Sequence, residues 1–290
     1  MATRDILPLI VVVGPTASGK TALAIELAEK YGGEIICADS RTVYRGMDIG
    51  TAKPSASDKE RVPHWGLDLV DPNEMFTAAD FKHYANEKIA EIRGRGHVPF
   101  LVGGTGLYVD AVVFDYQFGS AGDPQLRREL EAMSLEELHI YCRRHNITLP
   151  ENNKNKRYVI RAIEQNGINN SKALTPMSNT YIVGIATDRA ILRTRIESRA
   201  EQLFNNGVVE EAIKLGKKYG WDYQSMTGNI YPLVREYLNG HISLSEIQKK
   251  FITSDWRLAK RQLTWLKRNP YITWLDLDEA ERYVSELLAQ

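Results

Sequence analysis

Five consecutive apolar positions, Leu9-Ile10-Val11-Val12-Val13, predict a strand buried on both faces. The pattern then breaks into a glycine-rich turn. From Thr21 to Lys30, Leu23, Leu27 and their neighbours fall on one face, which predicts a helix stopped by Gly32-Gly33. Glu34 to Ala38 predicts a second short strand ending at Asp39. Phe81 to Arg93 has helical spacing closed by Gly94 and Gly96, and Val98 to Val102 predicts a third strand running into another glycine turn. Strand, helix, strand, helix, strand is the order of a parallel α/β sheet. In such sheets chemistry gathers beyond the carboxyl ends of the strands, where all three conspicuous loops lie.

Beyond about Gly119 the texture changes. Asp123 to Asn146 reads as helical and charged, Pro150 to Lys156 as a polar loop, and Arg157 to Gln165 as helical again, stopped by Gly167. Tyr181 to Ala186 returns to the sheet pattern. From Asp188 nearly everything reads helical, up to a strand-like piece at Tyr271 to Leu275. The expected organisation is an α/β core of residues 1–119 and 179–290, with a helical carboxyl-terminal part, interrupted by a helical insertion at 120–178.

Charge and composition narrow the picture. The 290 residues carry 37 Lys+Arg against 37 Asp+Glu, which excludes a uniformly basic nucleic-acid coat but leaves room for a local basic groove. Two cysteines, Cys37 and Cys142, support neither a disulfide framework nor a four-ligand zinc site unaided, so free thiols in a reducing compartment are expected. The apolar run Ile6 to Val13 is broken by Pro8 and falls far short of the ~20 residues of a membrane span. No small-residue cleavage pattern follows it. A soluble, cytoplasmic protein is the expectation.

Gly14-Pro15-Thr16-Ala17-Ser18-Gly19-Lys20-Thr21 fits G-x-x-x-x-G-K-[ST], with a strand before it and a helix after. Backbone N–H groups of such a loop curl around phosphate, and the helix start adds partial positive charge. Lys20 would reach the terminal phosphates and Thr21 would offer its hydroxyl to Mg²⁺, which keeps oxygen ligands. Asp39-Ser40-Arg41-Thr42 follows the second strand. Asp39 there holds Mg²⁺ through water, acts as a general base, or caps a turn, and spacing does not choose among these. Gly103-Gly104-Thr105-Gly106 is a second glycine turn, with Thr105 supplying a hydroxyl. Lys53, His64, Asp68, Asp71 and Asp80 show no metal-ligand spacing and read as a structured loop over the site.

Two segments break the neutral average. Lys154-Asn155-Lys156-Arg157 with Arg161 is one. Arg257 to Arg268, with Lys260, Arg261, Gln262, Trp265 and Lys267, is the other. Cations neutralise phosphates and aromatic faces stack bases, although each segment reads equally as a solvated helix face with a core Trp. Arg195 and Arg199, four apart on a helix, share one face, either over a leaving group or on the surface.

On these residues the chain resembles the bacterial tRNA dimethylallyltransferases, also called tRNA isopentenyltransferases. The segments are GPTASGKTALAIELA at 14–28, DSRTVYRGMDIGTAKP at 39–54, HWGLDLVDPNEMFTAADF at 64–81, VGGTGLYVDAV at 102–112, DPQLRREL at 123–130, RYVIRAIE at 157–164 and AKRQLTWLKR at 259–268. The resemblance implies a P-loop kinase-like core and a Mg²⁺-dependent transfer of a dimethylallyl group from dimethylallyl diphosphate to N6 of the adenosine 3′ of the anticodon. It implies Asp39 as the base, Thr105 near the reacting centre, and Lys20, Thr21 and Arg195 or Arg199 on the diphosphate. It places tRNA against Asp39, Ser40, Arg41, Thr42 and Thr105, against Arg127, Arg157, Tyr158 and Arg161, and against Lys260, Arg261, Gln262, Trp265 and Arg268. A monomer is expected.

Three departures stand out. Thr42 replaces the usual Gln, Asn153-Lys154-Asn155-Lys156 replaces a run with an Asn-Asp pair, and Gly228-Asn229-Ile230-Tyr231-Pro232-Leu233 replaces Gly-Tyr-x-[Glu/Gln]. Three rivals compete: an ATP-dependent small-molecule kinase, an adenylate isopentenyltransferase, and a non-catalytic tRNA-binding module. The first leaves 39–54 unexplained, the second needs no helical insertion, and the third conflicts with intact Lys20, Thr21, Asp39 and Thr105.

Overall fold

A computed structural model describes residues 6–119, 123–165 and 172–289. The predicted stop at Gly167 and the expected insertion boundary at residue 120 lie outside the described residues. In chain order the elements begin β1 Leu9–Val13, α1 Lys20–Lys30, β2 Gly33–Cys37, α2 Ala56–Arg61, β3 His64–Trp65, α3 Ala78–Gly94, β4 Val98–Gly103 and α4 Gly106–Val113. Then come α5 Pro124–Ala132, α6 Leu135–Arg144 and α7 Lys156–Glu164. The remainder is β5 Thr180–Ile185, α8 Arg189–Asn205, α9 Val208–Tyr219, a 3₁₀ turn Gln224–Thr227, α10 Tyr231–Leu238, α11 Leu244–Leu266, β6 Thr273–Leu275 and α12 Leu277–Leu288.

The six strands form one sheet in the order β3-β2-β4-β1-β5-β6, every pairing parallel. All five residues of β1 are buried, as expected of a β-branched strand at the centre of a sheet covered on both faces. On one face α1 supplies Leu23, Ala24, Leu27 and Ala28, and α12 supplies Ala280 and Val284. A second core joins Val43, Tyr44 and Met47 to the buried faces of α8 to α11. The short β3 and the helices α2 and α4 were not distinguished in the sequence pattern. The helical span Asp123 to Asn146 is built from two helices, α5 and α6. Met133 is extended, and Ser134 with Glu137 closes a capping box that starts α6 afresh, a device worth ~1 kcal/mol.

The chain divides into two compact units, Met1–Val113 with Pro176–Gln290, and Phe114–Thr175. The second has its own core of Leu130, Leu138, Cys142, Val159, Ile160 and Ile163.

At the amino end of β2, away from the strand ends that carry the loops, Glu34 is buried. It accepts from Arg95 Nε and Nη2 at 3.0 and 2.8 Å, His97 Nδ1 at 2.7 Å and Trp65 Nε1 at 2.7 Å. Burial pushes this carboxyl up, but the three donors outweigh it and hold it at about 2. Its stabilisation is therefore complete above the ordinary carboxylate range and is lost as pH falls toward 2. Glu34→Gln should cost on the order of 2–3 kcal/mol in urea unfolding at pH 7. The gap from wild type should shrink near pH 2.5, whereas an unchanged gap would show that the pairing does not titrate.

Candidate active site

Because β2, β4 and β1 are neighbours in that order, their carboxyl ends deliver Asp39, Thr105 and the 14–21 loop side by side. They line a cleft of about 680 Å³, a size suited to small-molecule binding, which Arg199, Asp255, Arg261 and Gln262 also line.

The phosphate loop owes its form to Gly19, whose φ of 93° lies in the left-handed region that side chains disfavour. No side chain caps α1, so the first N–H groups of the helix remain open toward the cleft, as an anion site requires. Lys20 Nζ donates to Pro15 O at 3.1 Å. Burial lowers its ammonium to about 8, Asp39 pulling the other way and Arg199 adding to the depression. Such a lysine gains most from an arriving anion. Thr21 stands exposed one residue further along the helix.

Asp39 Oδ1 accepts the N–H of Arg41 at 2.8 Å, an Asx turn that fixes the carboxylate. No hydrogen bond among the described residues engages Oδ2. Thr105 Oγ1 accepts the N–H of Ser40 at 3.1 Å, which ties the second glycine turn to the Asp39 turn. Thr42, the residue that departs from the family pattern, is buried and turns its hydroxyl back onto Asp39 O at 3.4 Å.

The structure separates the arginine pair of α8. Arg199 lines the main cleft, contacting Thr16 Oγ1 and pairing with the buried Asp255 at 3.1 Å. Arg195 donates to Ser18 O at 3.0 Å and lines neighbouring cavities instead of the main cleft. One of these, of about 590 Å³, shares Ala17, Gly19, Ala52 and Arg199 with it.

Helix α11 has two roles. Gln262 and Trp265 face inward: Gln262 Oε1 accepts the N–H of Thr16 at 2.8 Å, and Trp265 Nε1 donates to Asp110 at 2.7 Å. A β-carbon at Gly106 would collide with the Trp265 ring, so that glycine is needed for the helix to approach, and one at Gly104 would displace the Gln262 amide. Both side chains tie α11 to the core of the molecule, Gln262 through the phosphate loop and Trp265 through α4, and Gln262 also lines the cleft. Lys260, Arg261 and Arg268 are exposed, Arg261 also lining the main cleft. Arg41 is also committed, donating to the carbonyls of Gln224 and Ser225 at 2.8 and 3.0 Å. In the 114–175 unit, Arg127 and Arg161 both pair with Glu164, whose side chain is fully buried, while Arg157 and Tyr158 are exposed.

Sequence reasoning missed Asp255 and Glu211. Glu211 accepts the N–H groups of Asp48, Ile49 and Gly50 at 2.8, 2.7 and 2.9 Å and the hydroxyl of Tyr231 at 3.0 Å. No local sequence pattern marks either residue, since their partners lie far away along the chain. Lys53 pairs with Asp48 and Asp68 at 2.7 and 2.5 Å, while Asp80 caps α3, so these residues build a loop rather than a shared site.

A family model described as IPP transferase matches residues 42–269, and one described as Isopentenyl transferase matches residues 7–65. A tRNA dimethylallyltransferase of Desulforudis audaxviator is 42% identical over 289 residues, covering 94% of this chain and 93% of the relative. A tRNA dimethylallyltransferase of Halalkalibacterium halodurans is 38% identical, covering 94% and 92%. The crystal structure of a full-length tRNA isopentenylpyrophosphate transferase from Bacillus halodurans superposes with a TM-score of 0.75 at 37% identity, covering 97% of each chain.

Proposed function

The chain belongs to the IPP transferase family of tRNA dimethylallyltransferases, and from that premise we propose how its own residues move a dimethylallyl group from dimethylallyl diphosphate to N6 of the adenosine 3′ of the tRNA anticodon. The observation that carries the reading is the convergence, in one cleft, of a desolvated phosphate-loop lysine with a carboxylate that keeps one oxygen unengaged.

An aromatic amine is a weak nucleophile, because its lone pair is delocalised into the ring. As the N6–carbon bond forms and the allylic carbon–oxygen bond breaks, Asp39 accepts the N6 proton, a contribution of ~10²–10⁴-fold. Charge accumulates on the departing diphosphate, where Lys20, the open N–H groups of α1 and Arg199 stabilise it. Arg195 supports the loop from its other side through Ser18 O. Thr105 keeps Ser40 and Asp39 in register with the second turn. The adenine enters unstacked, which costs least from a single-stranded loop.

The residues present suit Mg²⁺. The cleft offers the oxygens of Thr21 and Asp39, and the described residues hold no cluster of three His, Cys, Asp or Glu that would cage a metal. That donor set matches a hard cation that takes its remaining ligands from phosphate and water. Thr21 would hold it, and its chemistry there is neutralisation of diphosphate charge.

The exposed Lys260, Arg261 and Arg268 of α11, with Arg157 and Tyr158 of the other unit, are the tRNA contacts this reading favours. Charge reversal at Lys260 and Arg261 should weaken tRNA binding and reduce the slope of log affinity against log salt by about one for each phosphate no longer neutralised. A filter-binding salt series with an unchanged slope would return that face to bulk solvent. Among the described residues no helix is long and apolar enough to cross a membrane. A cytoplasmic location fits this reading, supported by two buried free thiols.

The deciding experiment offers radiolabelled dimethylallyl diphosphate and Mg²⁺ with unmodified bulk tRNA in one tube and AMP or ATP in another. Label in tRNA alone is expected. Label in the free nucleotide, or in neither, would overturn the substrate assignment.

A further inference from the structure

The main cleft contains a second carboxylate that the reaction above does not use. Asp255 projects from α11 and is only 3% exposed. Its Oδ2 lies 3.1 Å from Arg199 Nη1, and the same Nη1 contacts Thr16 Oγ1 of the phosphate loop. Thr16 is held again through its N–H by Gln262, seven residues further along α11. One helix therefore grips the phosphate loop twice, directly through Gln262 and through Arg199 by way of Asp255.

The charges alternate. Lys20 and Arg199 are cations, Asp39 and Asp255 anions, and each is felt by others of the set: Lys20 by Asp39 and Arg199, Asp255 by Arg199 and Asp39. Of the two carboxylates lining the cleft, Asp255 is the one that pairs with the Arg199 guanidinium, whose Nη1 also contacts the phosphate loop. Burial pushes the Asp255 carboxyl up, Arg199 opposes that rise and Asp39 adds to it.

We propose that Asp255 is a positioning residue that commits Arg199 to the leaving diphosphate by docking its guanidinium on Thr16. The inference rests on the prenyl-transfer reading for its consequence, but the docking itself is read by diphosphate binding alone.

The test measures inorganic diphosphate binding by calorimetry, tRNA affinity, and prenyl transfer for wild type, Asp255→Ala, Asp255→Asn, Arg199→Ala and the R199A/D255A pair. D255A should weaken diphosphate binding roughly tenfold and lower kcat by up to ~10²-fold, the scale of a misplacement of about 1 Å. Its tRNA affinity should stay within about twofold, because Asp255 faces the loop and not the outer surface of α11. D255N should recover most of the loss, since its amide oxygen still accepts from Arg199. Adding D255A to R199A should cost nothing further, because the residue acts through Arg199. Losses that multiply in the double variant, or wild-type diphosphate binding in D255A, would overturn the proposal. If D255A does not fold, D255N alone decides: diphosphate binding as weak as that of R199A would overturn it, and near-wild-type binding would support it. Wild-type protein that binds diphosphate yet labels no tRNA would sink the functional reading while leaving the docking arm intact.

Discussion

Asp39→Asn should bind tRNA as wild type does and lose ~10²–10⁴-fold in kcat, the range of a single general base. The separation follows from geometry. Asn keeps the oxygen that accepts the Arg41 N–H at 2.8 Å, so the turn between β2 and the 40–44 segment is preserved. What disappears is an oxygen able to take a proton. Single-turnover labelling with saturating tRNA isolates that step from product release, and filter binding reports affinity separately. Turnover within tenfold of wild type would remove Asp39 as the base and shift attention to Asp255, the other carboxylate lining the cleft.

Lys20→Ala is expected to reduce transfer by ~10²–10³-fold, because it deletes a preformed positive group aimed at charge that grows as diphosphate leaves. The pH dependence provides a sharper test. In the free protein burial holds Lys20 at about 8. Bound diphosphate favours the charged form, so its complex has a higher value. Diphosphate affinity is therefore full below pH 8 and falls by up to tenfold per unit above it, as each binding event must recover a proton. Lys20→Arg stays charged and should flatten this limb. Folding stability moves in the opposite sense. Between about 8 and the ordinary 10.5 the unfolded chain holds the extra proton, so the ligand-free protein becomes more stable as pH rises through that window. Calorimetry of diphosphate binding at pH 7 and pH 9.5 checks the first statement. Equal affinities would mean that Lys20 remains charged throughout.

The parts of this molecule that could be read from sequence are those whose signal is local. A continuous apolar run at Leu9–Val13, a glycine that must adopt positive φ at Gly19, and a lysine fixed by loop spacing each report their surroundings within a few residues. The convergence of Asp39, Thr105 and Lys20 also follows, because a parallel sheet sends its carboxyl ends to one edge. Partnerships between distant side chains left no such trace. Asp255 pairs with a residue 56 positions away, and Glu211 reaches amides about 160 positions away. In a basic helix a lone acid looks like a solvated charge until α8 is laid beside it. The same reason explains Arg127, Arg161 and Trp265. Their residue types suit nucleic acid, and only the packed structure reveals Glu164 and Asp110 as their partners. Arg195 and Arg199 share a helical face, as their spacing requires, yet a few ångströms decide which of them enters the main cleft.

The strand order also sets a timetable for biogenesis. Strand β1 lies between β4 and β5, so one of its edges is satisfied soon after Gly103 is made, while the other waits until the whole of Phe114–Thr175 has left the ribosome. At roughly 5–20 residues per second that is an interval of several seconds during which a fully apolar strand edge is open. The phosphate loop waits longer still. It is among the first segments translated, yet Arg199 follows only after two-thirds of the chain, and Asp255 and Gln262 are synthesised near the end. The nascent chain thus carries a complete P-loop sequence through most of its synthesis before the helix that grips that loop from two directions emerges.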